Sequence, residues 1–264
     1  MSGGKSRFGP GELVVFIDDK GREYVRRLDP ERTIHVRDGV IHPEHLIGLR
    51  EGERVYNHRG QRFLLLRPTL AQWIPHLPRQ AQPIYPKDIG SILVWGDFFP
   101  GARVVEVGVG PGALSTAILR AIGPSGHLTS YEARPEFAER ARQNVEMFLG
   151  VVPNWTLKVA DAFAGIEERD ADRLVVDLAE PWILIEEAAR VLRPGGVFLS
   201  HLPTVLQVKE LVDALRASSA FGATICFETL QRFWHVEGRS VRPEHRMVAH
   251  TGFLVLARRL SGTP

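Results

Sequence analysis

The chain has 264 residues, of which 44% are hydrophobic and 24% charged, proportions that are ordinary for a soluble globular protein. Its single cysteine, Cys226, excludes an intrachain disulfide and a multi-cysteine zinc site. No apolar stretch approaches the roughly 20 residues that span a bilayer, and the N-terminus lacks the apolar core of a signal peptide. We therefore expect a cytoplasmic protein without a membrane partner.

Basic residues concentrate at the two ends of the chain, although the net charge is only +2. Residues 1–90 carry 15 Lys or Arg against 11 Asp or Glu, and residues 231–264 carry 6 against 2. Such ends are compatible with a surface that meets phosphate groups. A chance excess of solvated arginines explains them as well, so charge alone does not decide between the two.

Residues 1–70 are typical of a small β-rich N-terminal domain. Strand-like runs at about ten-residue spacing are ELVVFID, EYVRRL, TIHVR and RFLLLRP, with Asp-Gly and Lys-Gly turns among them. Residues 71–87 belong to a stretch with five prolines between positions 68 and 86. Because proline at that density stops regular structure, this segment is predicted to be a linker or lid.

Residues 88–264 show strands alternating with helices. The strand-like runs are ARVVEVG, HLTSYE, WTLKVAD, DRLVVDL, GVFLSHL, ATICFETL and TGFLVLARRL. The helix-like runs are GALSTAILRAIG, PEFAERARQNVEMFLG, PWILIEEAARVLRPGG and TVLQVKELVDALRAS. This alternation predicts an α/β fold, a doubly wound, mostly parallel, Rossmann-like sheet of seven strands. The last two strands lack a helix between them and are expected to pair antiparallel.

A glycine-rich loop follows the first of these strands in RVVEVGVGPGALSTAIL. Gly108, Gly110 and Gly112 form a G-x-G-x-G pattern, one residue tighter than the dinucleotide fingerprint, and Glu106 precedes them at the strand end. A carboxylate there would repel a pyrophosphate but suits an ammonium group. S-adenosylmethionine carries an ammonium and a sulfonium and no phosphate, so the pattern favours it over a dinucleotide. Glu106 is expected to contact the amino group or the N–H groups of the loop.

Two further strand ends carry acids. Glu132 ends the second strand, where a carboxylate accepts hydrogen bonds from ribose hydroxyls, although NAD enzymes share this device. Asp161 and Ala162 follow the third strand and are expected to meet the adenine amine and ring edge. Phe137 either covers that ring or is an aromatic of the core. Together these acids predict an S-adenosylmethionine-dependent methyltransferase domain over residues 88–264.

Asp177 ends the fourth strand in LVVDLAEPW. Ligands of open α/β sheets bind beyond the carboxyl ends of the strands, so Asp177 is expected to face the transferred methyl group. The alternative is that Asp177 caps the next helix, but the cap position falls more naturally on Ala179 or Glu180. Trp182 is either a stacking surface for the acceptor or a core aromatic.

The segment QRFWHVEGRSVRPEHRMVAH, residues 231–250, is long for a hairpin connection. It is expected to form a wall of the acceptor site that contacts RNA, although its arginines fit ion pairs between subunits equally well. Its histidines lack the carboxylate or cysteine spacing of a metal site, so no metal is predicted. The candidate RNA contacts in it are Arg232, Arg242, His245 and His250.

Several stretches resemble the tRNA (adenine-N1)-methyltransferase family, which modifies adenine 58 of the T loop. They are QPIYPKDIG, EVGVGPGALS, SYEARPEFAERARQN, DLAEPW, HLPTVLQV and ETLQRFWHVEGRSVRPEHRMVAHTGFL. The resemblance implies that Asp177 lies beside the methyl group and the adenine N6 amine, with Tyr85 facing the flipped base. It also implies a homotetramer without a metal. The cofactor residues it implies are Gly108, Val109, Gly110, Gly112, Ala113, Leu114, Glu132, Asp161 and Ala162.

Two positions depart from the family pattern. His201 stands at a site position where many members carry tyrosine, and Ala179 replaces a residue that is often proline or methionine. The sequence thus predicts transfer of a methyl group from S-adenosylmethionine to N1 of adenine 58 in tRNA. The alternatives are methylation of a protein carboxylate or small molecule, and a non-catalytic tRNA-binding subunit.

Overall fold

The computed structural model of the protein describes residues 7–77 and 82–262. Expectations for residues 1–6, 78–81 and 263–264, which include part of the proline-rich linker, lie outside the described residues. The chain divides into two compact units, Met1–Leu77 and Pro78–Pro264.

The first unit is an antiparallel β structure. Its strands are β1 Leu13–Asp18, β2 Glu23–Arg27, β3 Ile34–Val36, β4 Gly39–Ile41, β5 Arg54–Tyr56 and β6 Arg62–Leu66. Four of them form a sheet in the order β2-β1-β6-β5, and β3 pairs with β4 as a hairpin. Phe16 and Phe63 pack edge to face in its core. The three-residue strands β4 and β5 were not predicted.

One helix lies within the stretch where prolines were predicted to stop regular structure and a second begins at its end, so that prediction is wrong there. Helix α1 spans Leu70–Trp73 and begins with a capping box between Thr69 and Gln72. Helix α2 spans Pro86–Trp95 and has proline at its first position. Proline is tolerated in a first helical turn because its missing N–H would be unpaired there anyway.

The second unit is the predicted doubly wound sheet. After α2 come β7 Arg103–Val107, α3 Ala113–Ile122, β8 His127–Glu132, α4 Pro135–Leu149, β9 Trp155–Val159, β10 Ala171–Val176, α5 Ile185–Val191, β11 Leu192–Leu202, α6 Val205–Ala217, β12 Phe221–Glu228, β13 Trp234–Glu237, β14 Ser240–Pro243 and β15 Phe253–Arg259. The seven-stranded order is β12-β15-β11-β10-β7-β8-β9. Strands β7 to β11 run parallel, and β15 is antiparallel to both of its neighbours, which confirms the predicted sheet.

Two local predictions in this unit need correction. The helix predicted over 181–196 is a 3₁₀ turn at Pro181–Leu184 followed by α5, which ends at Val191. Residues 231–250, predicted as a long connection, contain the β13–β14 hairpin. Their apolar residues are mostly exposed, so no burial pattern marked the two strands.

The parallel register places the candidate site. Val176 of β10 pairs with Val107 of β7 on one side and with Ser200 of β11 on the other. The residues that follow these positions, Asp177 and His201 among them, therefore emerge at one carboxyl edge of the sheet. In the described parts of the chain no helix combines the length and apolar character that crossing a membrane requires.

Candidate functional site

A cavity of about 320 Å³ opens at the carboxyl edge of the central strands. Its wall comes from the ends of β7, β8, β9 and β10 together with the loops that follow them. The lining residues are Gln82, Val107, Gly108, Gly110, Tyr131, Glu132, Ala133, Arg134, Ala160, Asp161, Ala162, Phe163, Asp177 and Leu178. The cavity thus unites six predicted site residues from four strand ends.

Gly108 brings the glycine loop against the end of β10. It has φ of +84°, and a Cβ there would lie 2.4 Å from the backbone oxygen of Asp177. Any other residue would therefore be both strained and in collision with neighbouring backbone. Gly110 also lines the cavity with φ of +55°, but a Cβ there would meet nothing within 4 Å among the described residues.

The rest of the loop serves helix packing rather than the cavity wall. A Cβ at Gly112 would lie 3.1 Å from the backbone oxygen of Ala141 in α4, so this glycine lets α3 and α4 approach. Val109, Ala113 and Leu114 were expected to hold a cofactor. They are buried and do not line the cavity in the part of the chain that is described.

Glu106 is fully buried under the loop. Its Oε2 accepts hydrogen bonds from the hydroxyls of Ser115 at 2.7 Å and Ser130 at 2.6 Å, so it contacts hydroxyls rather than the loop N–H groups that were one expectation. Its Oε1 has no hydrogen-bond partner among the described residues. Burial, reinforced by the negative charges of Asp177 and Glu132, raises the pKa of Glu106 to about 7. The ionisation of this carboxyl is therefore moved toward neutral pH.

Glu132 is the carboxylate at the end of β8. Its side chain is only 5% exposed, and its Oε2 accepts from the N–H of Gly110 at 3.4 Å. Its Oε1 accepts from the backbone and the guanidinium of Arg134, both at 3.1 Å. These contacts fix the carboxylate at the cavity wall, between the glycine loop and the chain that leads into α4.

Asp161 and Phe163 form the wall beyond β9. The Asp161 carboxylate accepts from the N–H of Phe163 at 2.9 Å and so caps a short 3₁₀ turn. Phe163 lines the cavity with 47% of its surface exposed. Phe137, the predicted ring cover, lies instead beneath the Arg134 guanidinium at 3.5 Å. Phe163 was not among the predicted site residues, although its place two residues after a strand-end acid was a usable signal.

Asp177 follows β10, and its backbone N–H donates to Val107 O at 2.8 Å. The 3₁₀ turn that begins at Pro181 has Glu180 at its cap position, so Asp177 does not cap it, in agreement with the preferred interpretation. The Asp177 side chain is 37% exposed, and its Oδ1 lies 3.8 Å from Nδ1 of His201. Tyr85 is half-buried and directly precedes α2, outside the residues that line the cavity.

The remaining candidates for acceptor contacts form two groups: those whose side chains are engaged within the protein, and those that lie on or beside the β13–β14 hairpin. Trp182 is half-buried and packs against the apolar core, as the alternative interpretation predicted. The His250 ring joins Glu228 Oε2 at 3.0 Å and Pro203 O at 2.9 Å, and the Pro203 carbonyl and then Glu228 raise the pKa of His250. Three candidates lie on or beside the β13–β14 hairpin: Arg232 and His245, which are exposed, and Arg242, which is half-buried.

The charge of the cavity wall selects among ligands. Three carboxylates, Glu132, Asp161 and Asp177, face one cation, Arg134, which is already paired with Glu132. An anionic wall of this kind disfavours a pyrophosphate and suits a cationic, phosphate-free nucleoside. Within residues 7–77 and 82–262, no group of three acidic, histidine or cysteine side chains could hold a metal ion.

Models of two protein families match the chain. Residues 62–242 match the family described as tRNA methyltransferase complex GCD14 subunit, and residues 7–55 match the TrmI-like N-terminal family. The chain is 35% identical over 256 residues to the tRNA (adenine(58)-N(1))-methyltransferase TrmI of Thermus thermophilus, covering 95% of this chain and 97% of the relative. It is 29% identical to the tRNA (adenine(57)-N(1)/adenine(58)-N(1))-methyltransferase TrmI of Methanocaldococcus jannaschii, covering 92% and 94%.

Two solved structures share the fold over nearly the whole chain. A SAM-dependent O-methyltransferase from Thermotoga maritima superposes with a TM-score of 0.92 at 31% identity, covering 98% of this chain and 97% of the other. The tRNA (m1A58) methyltransferase TrmI of Aquifex aeolicus superposes with a TM-score of 0.85 at 30% identity, covering 97% and 100%.

Proposed function

The chain belongs to the family of the tRNA methyltransferase complex GCD14 subunit, and we propose that it transfers a methyl group from S-adenosylmethionine to N1 of adenine 58 in the tRNA T loop. The observation that supports the proposal most directly is the position of Asp177, which lines the same cavity as the carboxylates Glu132 and Asp161. We also propose that the enzyme acts in the cytoplasm, where tRNA is available to it.

The cavity fits S-adenosylmethionine by its chemistry. Glu132 would hold the ribose hydroxyls, while Asp161 and Ala162 would meet the adenine amine and ring edge, beside the face of Phe163. Glu106, buried with one oxygen unpartnered among the described residues, supplies negative charge beneath the loop for the amino group. When bound, the sulfonium supplies an electrophilic methyl group. No metal is needed for such a transfer.

Asp177 acts on the acceptor base. Adenine N1 carries a free lone pair, so no strong base is required before it attacks. Methylation makes the ring cationic, and a carboxylate that accepts a hydrogen bond from the N6 amine stabilises this developing charge. In-line displacement also requires nucleophile and methyl group to be held in place, so positioning supplies much of the rate. The partly exposed Asp177 side chain is suited to both tasks.

An adenine within a folded loop must leave its stack to reach the cavity. An aromatic face offsets part of the stacking that the base loses. Tyr85 serves this purpose better than Trp182, because Trp182 is engaged by the apolar core whereas Tyr85 stands at the start of α2. The exposed basic residues of the β13–β14 segment, Arg232 and His245, are placed to meet the RNA backbone.

The two alternative functions are weaker. A non-catalytic tRNA-binding subunit has no need of four acids at strand ends, yet Glu106, Glu132, Asp161 and Asp177 are all retained. Methylation of a protein carboxylate or small molecule gives no purpose to the basic chain ends. The likeness to the Thermotoga maritima O-methyltransferase keeps such an acceptor as an outcome to be tested.

The test is methyl transfer from labelled S-adenosylmethionine to an unmodified tRNA transcript, with the product nucleosides separated by mass. We expect a 1-methyladenosine peak that disappears when adenine 58 is replaced. A smaller 1-methyladenosine peak that survives the replacement would reveal additional methylation at adenine 57, as named for the Methanocaldococcus jannaschii relative. Absence of label in RNA, with cofactor still bound, would overturn the acceptor and retain the methyltransferase.

We propose that the enzyme is a homotetramer. Strand β12 is an edge of the seven-stranded sheet, and unpaired edges are normally covered. Large apolar side chains are exposed on β12, on the segment that follows it and on α2. They are Trp95, Ile225, Phe233, Trp234, Val236 and Val241. Light scattering coupled to gel filtration should give four times the 29.5 kDa chain mass, and a monomer would contradict the proposal.

A further inference from the structure

His201 lies between two carboxylates that come from distant parts of the chain. It belongs to β11, and its side chain is only 11% exposed. Its Nδ1 is 3.8 Å from Oδ1 of Asp177, and its Nε2 is 4.0 Å from Oδ2 of Asp88. Nε2 has no hydrogen-bond partner among the described residues. Neither ring nitrogen is thus committed elsewhere in the described structure.

Asp88 is a fixed anchor because its own hydrogen bonds are satisfied. It is fully buried near the start of α2. Its Oδ1 accepts from Lys87 Nζ at 2.8 Å, and its Oδ2 accepts from the Thr251 hydroxyl. Lys87 also donates to Thr229 O at 2.7 Å, which joins α2 to the segment after β12. We call Lys87, Asp88, Asp177, His201 and Thr251 the acceptor cluster.

Gly252 provides the space for the His201 ring. A Cβ at Gly252 would lie 2.2 Å from Nε2 of His201, and its two next nearest neighbours would also be ring atoms of His201. The backbone of residue 252 therefore rests against the ring edge. With Thr251 bonded to Asp88, this contact leaves the imidazole little freedom to turn away from Asp177.

Asp177 needs such support. The terminal torsion of an aspartate is broad, so an exposed carboxylate samples many orientations of its two oxygens. Asp177 is 37% exposed, and no other side chain of the described residues is placed as close to it by an ion-pair or hydrogen-bond contact. A donor on one oxygen would fix the plane of the carboxylate and leave the second oxygen for the acceptor.

We propose that His201 is a positioning residue, whose Nδ1–H donates to Asp177 and turns the other carboxylate oxygen toward the N6 amine of the acceptor adenine. The proposal rests on the proposed function for the identity of that amine. The 3.8 Å separation exceeds a hydrogen bond by about 0.8 Å. Catalytic hydrogen bonds are often long without substrate and shorten in the reacting complex. Asp88 already has two other donors, so Nδ1 is the nitrogen that the site uses.

Three substitutions of His201 separate the roles of the two ring nitrogens. The amide nitrogen of asparagine reaches the place of Nδ1, that of glutamine reaches the place of Nε2, and phenylalanine keeps the ring without a donor. We expect His201→Phe to lower kcat about tenfold, the scale of one lost hydrogen bond, with KM for both substrates within about twofold. His201→Asn should recover most of that loss, and His201→Gln should not. Recovery by glutamine alone, or no loss with phenylalanine, would overturn the proposal.

A double-mutant cycle tests whether His201 acts through Asp177. In an Asp177→Asn background, His201→Phe should cost less than about twofold in single-turnover rate, because the group that His201 positions is already altered. A full tenfold loss in that background would overturn the positioning role. The control is His127→Phe: His127 is exposed at the start of β8, hydrogen-bonds Thr156, and should leave kcat unchanged.

Failure of this inference can be told from failure of the proposed function. An active wild type whose rate is unchanged by His201→Phe contradicts only the positioning role. A wild type that transfers no methyl group to tRNA contradicts the function itself. Melting temperatures of the three His201 variants close to that of the wild type would show that the rate changes do not come from unfolding.

Discussion

The two sides of the candidate site are held together by different kinds of contact. The cofactor wall, defined here as Gly108, Gly110, Glu132 and Asp161, is built by strand ends and by hydrogen bonds to the backbone of the loops that follow them. The acceptor cluster joins side chains from α2, β11, the residue that follows β10 and the segment before β15, up to 164 residues apart. The residues of the cofactor wall belong to consecutive strand ends and the loops after them, whereas those of the acceptor cluster meet only once the sheet has formed.

The largest effect should come from the acceptor side. Asp177→Ala removes the carboxylate that we propose stabilises charge on the base, so we expect kcat to fall about 10²-fold or more. S-adenosylmethionine binding, measured by calorimetry, should be largely retained because the cofactor wall is intact. Asp213→Asn is the matched control, since Asp213 pairs with Lys209 on the surface of α6. Near-normal turnover of Asp177→Ala would remove Asp177 from the mechanism.

The same contrast explains what could be predicted from the sequence. The glycine loop, Glu132 and Asp161 follow from a strand-loop-helix pattern that spans about 60 residues, so their places at one sheet edge were predictable. Asp88 was not, because its partner Thr251 meets it only after β15 inserts between β12 and β11. Helix α2 was hidden by the prolines that precede it and by Pro86 at its first position. Phe163 has no periodic pattern to mark it, and only its place two residues after Asp161 pointed to the cavity.

Gly108→Ala should destabilise the cofactor wall, because the new Cβ overlaps the backbone of Asp177. An alanine there combines a left-handed conformation with a Cβ 2.4 Å from Asp177 O, so we expect a loss of about 3 kcal/mol in the free energy of unfolding. Gly110→Ala shares the positive φ but meets no atom, and should cost about 1 kcal/mol. Urea unfolding of the ligand-free variants measures both. Equal losses would show that strain alone, without the close approach to Asp177, requires glycine.

Glu106 should make cofactor binding depend on pH. Its pKa is raised to about 7 in the free protein, whereas a bound ammonium group favours the ionised carboxylate and lowers that pKa. Binding therefore releases a proton, and affinity rises with pH as the free protein loses that proton. Between pH 5.5 and 7 the ionised fraction grows about 15-fold, which sets the largest expected decrease in Kd.

Calorimetry of wild type and Glu106→Gln over this range separates the Glu106 effect from other titrations. The α-amino group of the ligand stays charged below pH 7, so it contributes little to the change. Glu106→Gln should bind with a Kd that is nearly independent of pH between 5.5 and 7. A wild-type Kd without pH dependence would show that the ammonium lies too far from Glu106 to affect its charge.

Gly252→Ala should have the smallest effect and tests how the acceptor cluster is assembled. The new Cβ would displace the His201 ring from Asp177, so we expect a loss in kcat of about tenfold, equal to that of His201→Phe. Gly90→Ala is the control, because it lies in α2 with open space around it and should raise stability by about 0.5 kcal/mol or more.

A second substitution tests whether the Cβ added by Gly252→Ala acts by contact with the His201 ring. All three atoms nearest to that Cβ belong to the ring of His201, so in a His201→Ala background the closest obstacle to Gly252→Ala is removed, and the substitution should lower neither kcat nor the melting temperature further. An additional loss in that background would mean that Gly252 supports the site through its backbone alone. Non-additivity would instead show that residue 252 acts on Asp177 only through His201, and that the acceptor side depends on one packed contact between β11 and the residue before β15.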